Sequence, residues 1–156
     1  EAERIAGAFG ADGTELVAAA WLHDVGYAPD LAVTGLHALD GARFLRAEGW
    51  PARVCDLVAH HSCAVREAEL RGLSAELAEF TDEASPVRDA LWYCDMTTGP
   101  SGDRVSVEER LAEITERYGR GDVVTRFVEL ARDELVGAVE RTRARLRAAG
   151  LADYPM

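Results

Sequence analysis

The chain carries carboxylates at two positions where the apolar spacing of a helix predicts burial. Asp24 lies four residues after Ala20, and Asp95 lies four residues after Leu91. An unpaired carboxylate is costly to remove from water, so each aspartate needs a cationic partner. Either an arginine or a metal ion could supply that charge, and for one aspartate taken alone an arginine pair or a helix cap is the simpler interpretation.

Histidines accompany these aspartates on the same predicted helix and on its neighbours. His23 directly precedes Asp24, His61 continues an apolar stripe at helical spacing, and His60 lies about 100° around the same helix. His37 is placed near the start of another helix. Histidines and aspartates at inward positions, without a CxxC pair or a glycine-rich phosphate loop, predict a metal site. Such ligands suit one or two ions of Mn, Fe, Co or Zn and, with fewer histidines, Mg.

Helices must position these groups, because apolar periodicity is helical throughout and no segment alternates like a strand. We therefore predict an all-α fold. Asp12 with Glu15, and Ser106 with Glu109, predict capping boxes. The predicted helical segments are, in order, residues 1–9, 12–24, 36–48, 51–61, 64–80, 85–95 and 106–149. The segment 64–80 is split into two pieces at Gly72, and the segment 106–149 is broken into two near Gly119 and Gly121.

The same periodicity predicts which apolar residues form the core. In the second helix the stripe comprises Leu16, Val17, Ala20 and Trp21. In the C-terminal helices the core candidates are Leu111, Ile114, Val124, Phe127, Leu130 and Leu135. Residues 1–9 read as the end of a helix that begins upstream, because no capping residue precedes them.

Composition bounds the class of protein. The chain has 156 residues, 48% of them hydrophobic, which predicts one domain over residues 1–156 with helices at 105–149 packing on its core. Its formal charge is 17 − 28 = −11, which argues against DNA as a partner. No apolar run is long enough for a membrane span, and the first residues are no signal peptide. With an odd number of cysteines (Cys55, Cys63, Cys94), we predict a cytoplasmic protein.

The segment around His23 resembles a known family. Residues 20–27, Ala-Trp-Leu-His-Asp-Val-Gly-Tyr, are similar to the signature of the HD-domain superfamily of metal-dependent phosphohydrolases. The resemblance covers about residues 1–120 and implies a helical bundle of the phosphodiesterase-like type. In that family a His, an adjacent His-Asp pair and a distant Asp hold the metal. The resemblance places the pair at His23 and Asp24, and the distant aspartate at Asp95.

A second stretch extends the resemblance. His37-Ala-Leu-Asp-Gly41 and His60-His61 are similar to elements of HD subfamilies that bind two metals, including the HD-GYP and related cyclic-dinucleotide phosphodiesterases. By that resemblance His37, His60 and His61 hold the second metal and Asp24 bridges. The alternatives are a helix-start residue at His37 and a solvated surface histidine at His60.

The chain departs from the family pattern in two places. Residues 1–22 contain no histidine, so the first family ligand either lies upstream of Glu1 or has been lost. The Gly-Tyr-Pro element of the cyclic-di-GMP enzymes is also absent, since Asp24 is followed by Val25-Gly26-Tyr27-Ala28-Pro29. We therefore do not infer that substrate.

The resemblance implies hydrolysis of a small phosphate ester, with a nucleotide expected, by water that a divalent cation activates. Asp24 would orient the hydroxide, and His61 or His60, if not a ligand, would protonate the leaving oxygen. Arg66 and Arg104 are the candidate phosphate-binding residues. We expect no DNA or membrane partner, and a homodimer is the candidate assembly.

Two other classes remain open. The di-iron oxygenases of the same fold also use several histidines and an aspartate, but those resembling phosphonate oxygenases employ a lysine, and this chain has none. A non-catalytic HD domain that binds a ligand or regulates a partner would be consistent with a missing first histidine.

Overall fold

Apolar residues at helical spacing build a bundle of α-helices in the computed structural model, which describes residues 1–151. Within that range there is no β-strand, so the prediction of an all-α fold is confirmed. Short 3₁₀ segments at Ala6–Asp12, Val25–Tyr27 and His61–Cys63 connect the longer elements. The α-helices are α1 (Ala2–Ile5), α2 (Gly13–Leu22), α3 (His37–Ala47), α4 (Ala52–Ala59), α5 (Ala64–Arg71), α6 (Ser74–Leu77), α7 (Pro86–Met96), α8 (Val107–Tyr118) and α9 (Val123–Ala148).

Side-chain caps mark the starts of three helices, α7, α8 and α9. Ser106 and Glu109 form the predicted capping box of α8, and the Ser85 hydroxyl accepts two backbone N–H bonds at the start of α7. The prediction for Asp12 was wrong, because its side chain caps nothing at the start of α2. Asp12 already has helical backbone angles (φ −73°, ψ −11°), whereas a capping residue needs extended ones. Its carboxylate instead accepts a bond from Arg53 Nη1 at 2.6 Å.

The core runs between α2, α3, α4 and α7, and α8 and α9 close it from one side. The fully buried side chains include Leu16, Leu39, Leu57, Leu91, Leu111 and Leu135. The prediction of the core was wrong for two residues, since Trp21 is 75% exposed and Leu130 is 59% exposed. Leu130 lies about 100° around α9 from the buried Ala131, outside the stripe that packs. The indole of Trp21 donates to Glu3 at the surface.

None of the helices over residues 1–151 combines the length and the apolar character that a membrane crossing requires.

A close backbone contact brings the segment after Asp24 against α3. A Cβ on Gly26 would lie 2.0 Å from the carbonyl oxygen of His37 and 2.7 Å from the nitrogen of Gly41. On the α3 side, a Cβ on Gly41 would lie 3.0 Å from the nitrogen of Gly26. Glycine at both positions therefore allows the two backbones to touch, and this contact sets His37 beside Asp24.

Asp40 holds the loop that leads into α3. Its buried carboxylate accepts backbone N–H bonds from Val33 (3.0 Å) and Thr34 (3.0 and 3.1 Å). These bonds anchor the loop on the first turn of α3, directly before the helix position of His37.

We expect Asp40→Ala to lower the free energy of unfolding by about 1.5–3 kcal/mol, because bonds to a charged acceptor are lost. Urea denaturation measures the change. Asp40→Asn keeps one acceptor oxygen and should lose less. The matched control is Asp30→Asn, an exposed aspartate of the same loop, which should change stability by no more than about 0.5 kcal/mol. Equal stability of Asp40→Ala and wild type would show that water replaces the carboxylate without cost.

Candidate metal centre

Three side chains from separate elements bring ligand atoms together. One donor atom each from Asp24, His37 and His61 lies within 4.8 Å of the others. The two histidine Nε2 atoms are 3.0 Å apart, and His37 Nε2 lies 3.6 Å from Asp24 Oδ1. The group combines residues at the end of α2, the start of α3 and the end of α4, which are distant in sequence.

Asp24 also faces a second pair of side chains. Its Oδ2 lies 3.4 Å from His23 Nε2, and the same nitrogen lies 3.8 Å from Asp95 Oδ1. The two oxygens of Asp24 therefore point to different imidazoles, with His37 on one side and His23 on the other. This places Asp24 between two adjacent groups of potential ligands.

The backbone around each imidazole selects the nitrogen that faces the centre. His61 Nδ1–H donates to the carbonyl of Val58 at 2.6 Å, and His23 Nδ1–H donates to that of Ala20 at 2.8 Å. In both residues Nε2 is left to face the carboxylates and the other imidazoles. Such bonds to the second nitrogen fix ring orientation in metal-binding histidines.

A backbone kink follows His61. Helix α4 ends at Ala59, and Ser62 (φ 45°) and Cys63 (φ 60°) both adopt left-handed conformations. Two consecutive non-glycine residues in that region carry strain, which is common where a chain must aim a functional side chain. The kink lets the Ser62 hydroxyl donate to Asp95 Oδ2 while His61 faces His37.

The charges of the centre are balanced among its own groups. Burial and the neighbouring imidazole of His61 lower the pKa of His37 to about 2, and burial with the charge of His23 lowers the pKa of His61. Burial opposes protonation of His23, but Asp95 and Asp24 raise its pKa to about 9. Burial also opposes ionisation of Asp95, yet the bond from His23 holds its pKa below the usual range. The imidazoles of His37 and His61 thus favour the neutral form, which has a nitrogen lone pair, and Asp95 favours the ionised form.

Three residues predicted from the sequence do not join this group. His60 Nε2–H donates to the carbonyl of Phe80 at 3.0 Å, and His60 is buried rather than solvated. Arg66 forms ion pairs with Glu69 and Glu134, and Arg104 forms one with Glu1. The metal role of His60 and the substrate roles of the two arginines remain predictions.

Sequence reasoning missed Arg110, which is the arginine next to the centre. Its Nη2 lies 3.6 Å from Asp95 Oδ1, its Nη1 donates to Glu113 Oε2 at 2.6 Å, and its side chain is 14% exposed. Its Nε is buried without a partner among the described residues. A signal was present, because Arg110 interrupts the apolar stripe of Val107 and Ile114 at helical spacing.

Two clefts border the centre. One, of about 490 Å³, is lined by His23 and Trp21. The other, of about 330 Å³, is lined by His37 and His61. Asp24, Asp95 and Arg110 border both clefts. A further cleft of about 580 Å³, at Pro86 and Arg141, contains none of these residues and so is separate from the candidate centre.

The donor set fits a divalent cation. It offers imidazole nitrogen and carboxylate oxygen, which are ligands for Mn, Fe, Co and Zn. The carboxylate oxygens are also ligands for Mg. The donors already converge, so little rearrangement separates the described arrangement from ligation. The residues present are therefore compatible with one ion at Asp24, His37 and His61 and a second at His23, Asp24 and Asp95.

Comparison with known proteins gives one match. The family model of the HD domain matches residues 2–117, well over half of the chain, and this range contains all five converging side chains. No curated protein and no solved structure matches the chain.

Proposed function

The chain belongs to the HD-domain family, and on that premise we propose that it is a metal-dependent phosphohydrolase that cleaves a small phosphate ester. The observation that carries the proposal is the convergence of Asp24, His37 and His61 within 4.8 Å, with His23 and Asp95 alongside. The metal is one or two ions of Mn, Fe, Mg, Co or Zn, and a nucleotide is the first substrate class to test.

The proposed reaction is hydrolysis at phosphorus. The oxygen of a water molecule bonds to phosphorus, the bond from phosphorus to the ester oxygen breaks, and inorganic phosphate and an alcohol are released. Divalent cations, when bound, lower the pKa of water and neutralise charge on the phosphoryl oxygens. Asp24, which is half exposed between the His37–His61 pair and the His23–Asp95 pair, orients the attacking water and accepts its hydrogen bond.

The leaving oxygen needs a proton. His61 has its Nδ1–H engaged by Val58, so only its Nε2 can act on the substrate. If one ion occupies the His23 and Asp95 side, His61 has no metal bond, and its Nε2 would have to gain a proton against its lowered pKa before passing it to the alcohol. If both ions bind, His61 is a ligand and solvent in the cleft supplies the proton.

Arg110 is the residue that we assign to the phosphoryl oxygens. It borders both clefts, and its Nη2 faces Asp95 while its Nη1 is held by Glu113 at 2.6 Å. An acidic protein of charge −11 otherwise repels a phosphate ester, so this charge and the cations must offset that repulsion.

Replacing Arg110 by alanine should lower kcat/KM for phosphate release by about 10²–10³, the range for one electrostatic stabiliser. Arg110→Lys, which keeps the charge but loses the planar fork, should retain part of the activity. The control is Arg132→Ala, an exposed arginine on α9, which should not change the rate. A loss confined to Arg66→Ala or Arg104→Ala would favour the sequence prediction over Arg110.

The proposal is tested by measuring bound metal in the purified protein and phosphate release from a panel of nucleotides and simple esters with Mn, Mg or Fe. We expect metal-dependent phosphate release that chelation abolishes. An iron-loaded protein that consumes oxygen and releases no phosphate would favour the oxygenase class. Metal-free protein without activity under all three ions would favour a non-catalytic domain.

Three cysteines support a reducing compartment. Cys55, Cys63 and Cys94 are buried and unpaired, and burial raises the pKa of each thiol. Because none is held in a disulfide, we propose that the protein works in the cytoplasm.

A further inference from the structure

The cleft of about 330 Å³ has a polar end and an apolar end, and we call it the α8–α9 cleft. At the polar end lie His37, His61 and Arg110. At the other end, Ile114 from α8 and Val124 and Phe127 from α9 form a wall of side chains that lack polar atoms. We call these three residues the apolar wall.

Two of the polar groups that border the cleft are engaged by other residues. The ring of Tyr27 stacks on that of His37 at 3.9 Å. Glu67 borders the cleft, but its Oε1 is bonded to Arg71 at 2.6 and 2.7 Å. A ligand group that packs on the apolar wall itself meets only carbon.

Both arginines that border the cleft pair with Glu113 along α8, Arg110 at 2.6 Å and Arg117 through its Nη2. Arg110 alone also lies 3.6 Å from Asp95, among the metal ligands. A cation held by those ligands would therefore supply the main attraction for an anionic group at the polar end.

We propose that the substrate is a phosphate monoester of a compact apolar alcohol, such as a single ring, whose leaving group packs on Ile114, Val124 and Phe127. The proposal rests on the proposed function, because it places the phosphoryl group at the metal ligands. The cleft is near the lower limit for small-molecule sites (about 300–1,000 Å³), which favours one ring and a phosphate over a dinucleotide. A polar leaving group would lose its hydrogen bonds to water without replacement.

Two of the three residues of the apolar wall lie outside the range that matches the HD domain. The match ends at residue 117, whereas Val124 and Phe127 lie on α9. The metal ligands lie within the matched range, and most of the wall lies on a helix that follows it. Specificity therefore depends on how α9 packs over the centre.

The first test compares phenyl phosphate with glycerol phosphate as substrates of the Mn-loaded protein. We expect a kcat/KM at least about tenfold higher for phenyl phosphate, the scale on which an apolar pocket discriminates. Val124→Thr places a hydroxyl in the wall at nearly constant volume and should raise KM for phenyl phosphate about tenfold. The ratio of KM for phenyl phosphate to KM for glycerol phosphate should therefore rise in this variant. Phe127→Leu supplies a second variant, and Val136→Thr, also partly buried on α9, is the matched control.

The second test separates this inference from the proposed function. Phenylphosphonate and methylphosphonate cannot be hydrolysed, so calorimetry reports their binding alone. We expect tighter binding of phenylphosphonate and a loss of that preference in Val124→Thr. The preference without hydrolysis of any ester would overturn the proposed function and leave the apolar wall supported. Hydrolysis with equal binding of both phosphonates, or with a preference for nucleotides over phenyl phosphate, would overturn the inference.

Discussion

The Asp24→Asn variant should lose phosphate release by about 10³-fold or more, and it should bind less metal than the wild type. The two oxygens of Asp24 face His37 at 3.6 Å and His23 at 3.4 Å, so one neutralised carboxylate weakens both groups of ligands at once. Loss of one electrostatic stabiliser costs about 10²–10³ in rate, and Asp24 also orients the attacking water. Metal content and phosphate release, measured on the same preparation, check the expectation.

The structure provides controls for this variant. Asp24 is 56% exposed, so its replacement should alter the stability of the metal-free protein by only about 0.5 kcal/mol. Asp30→Asn removes an exposed carboxylate six residues further along and should leave metal content and activity unchanged. His37→Ala should reduce metal content as Asp24→Asn does. Phosphate release that persists in both Asp24→Asn and His37→Ala would refute the assigned centre.

The Gly26→Ala variant should be less stable than the wild type and should bind metal more weakly. The added methyl group would lie 2.0 Å from the carbonyl oxygen of His37, so α3 must move away from the segment after Asp24. Forced expansion of a packed contact costs about 1–3 kcal/mol, which corresponds to a melting temperature roughly 3–10 °C lower. The same displacement separates His37 from Asp24. Thermal unfolding of the metal-free protein and titration with Mn measure the two effects.

Gly7→Ala is the matched control for Gly26→Ala. A Cβ at Gly7 meets no atom within 4 Å, and its backbone is not in the left-handed region. Alanine there should be neutral or stabilise by up to about 1 kcal/mol, since it restricts the unfolded chain. If Gly26→Ala unfolds at the same temperature as Gly7→Ala and binds Mn equally well, the contact between Gly26 and α3 does not position the centre.

Local signals in the sequence were enough for the helices. Ser85 and Ser106 mark the starts of α7 and α8, and Gly72 separates α5 from α6, because capping and chain reversal depend on neighbouring residues alone. The capping prediction for Asp12 was wrong, because its carboxylate accepts a hydrogen bond from Arg53 instead. Arg53 lies 41 residues away in sequence, and its position depends on packing. Trp21 and Leu130 failed as core residues for a related reason, since periodicity predicts a face without showing what covers it.

What the sequence by itself determined is the chemistry of the centre. Helical spacing and the family resemblance drew attention to His23, Asp24, His37, His61 and Asp95, and the structure brings those five side chains together. Carboxylates and histidines are costly to bury, so Asp95 and His61 are conspicuous on their apolar faces without a structure. The predicted burial of Asp24 was wrong, since its side chain is 56% exposed, and the family resemblance rather than burial identifies it.

Only the tertiary structure decided which similar residues stay outside the centre and which unexpected ones enter it. His60 and His61 are adjacent in sequence, yet the ring of His60 faces the carbonyl of Phe80 and the ring of His61 faces His37. The backbone kink at Ser62 and Cys63 comes directly after them. Arg110 reaches Asp95 because α8 packs across α7, while Arg66 and Arg104 meet carboxylates elsewhere. Long charged side chains take the partner that packing brings near, and that proximity arises only when the helices assemble.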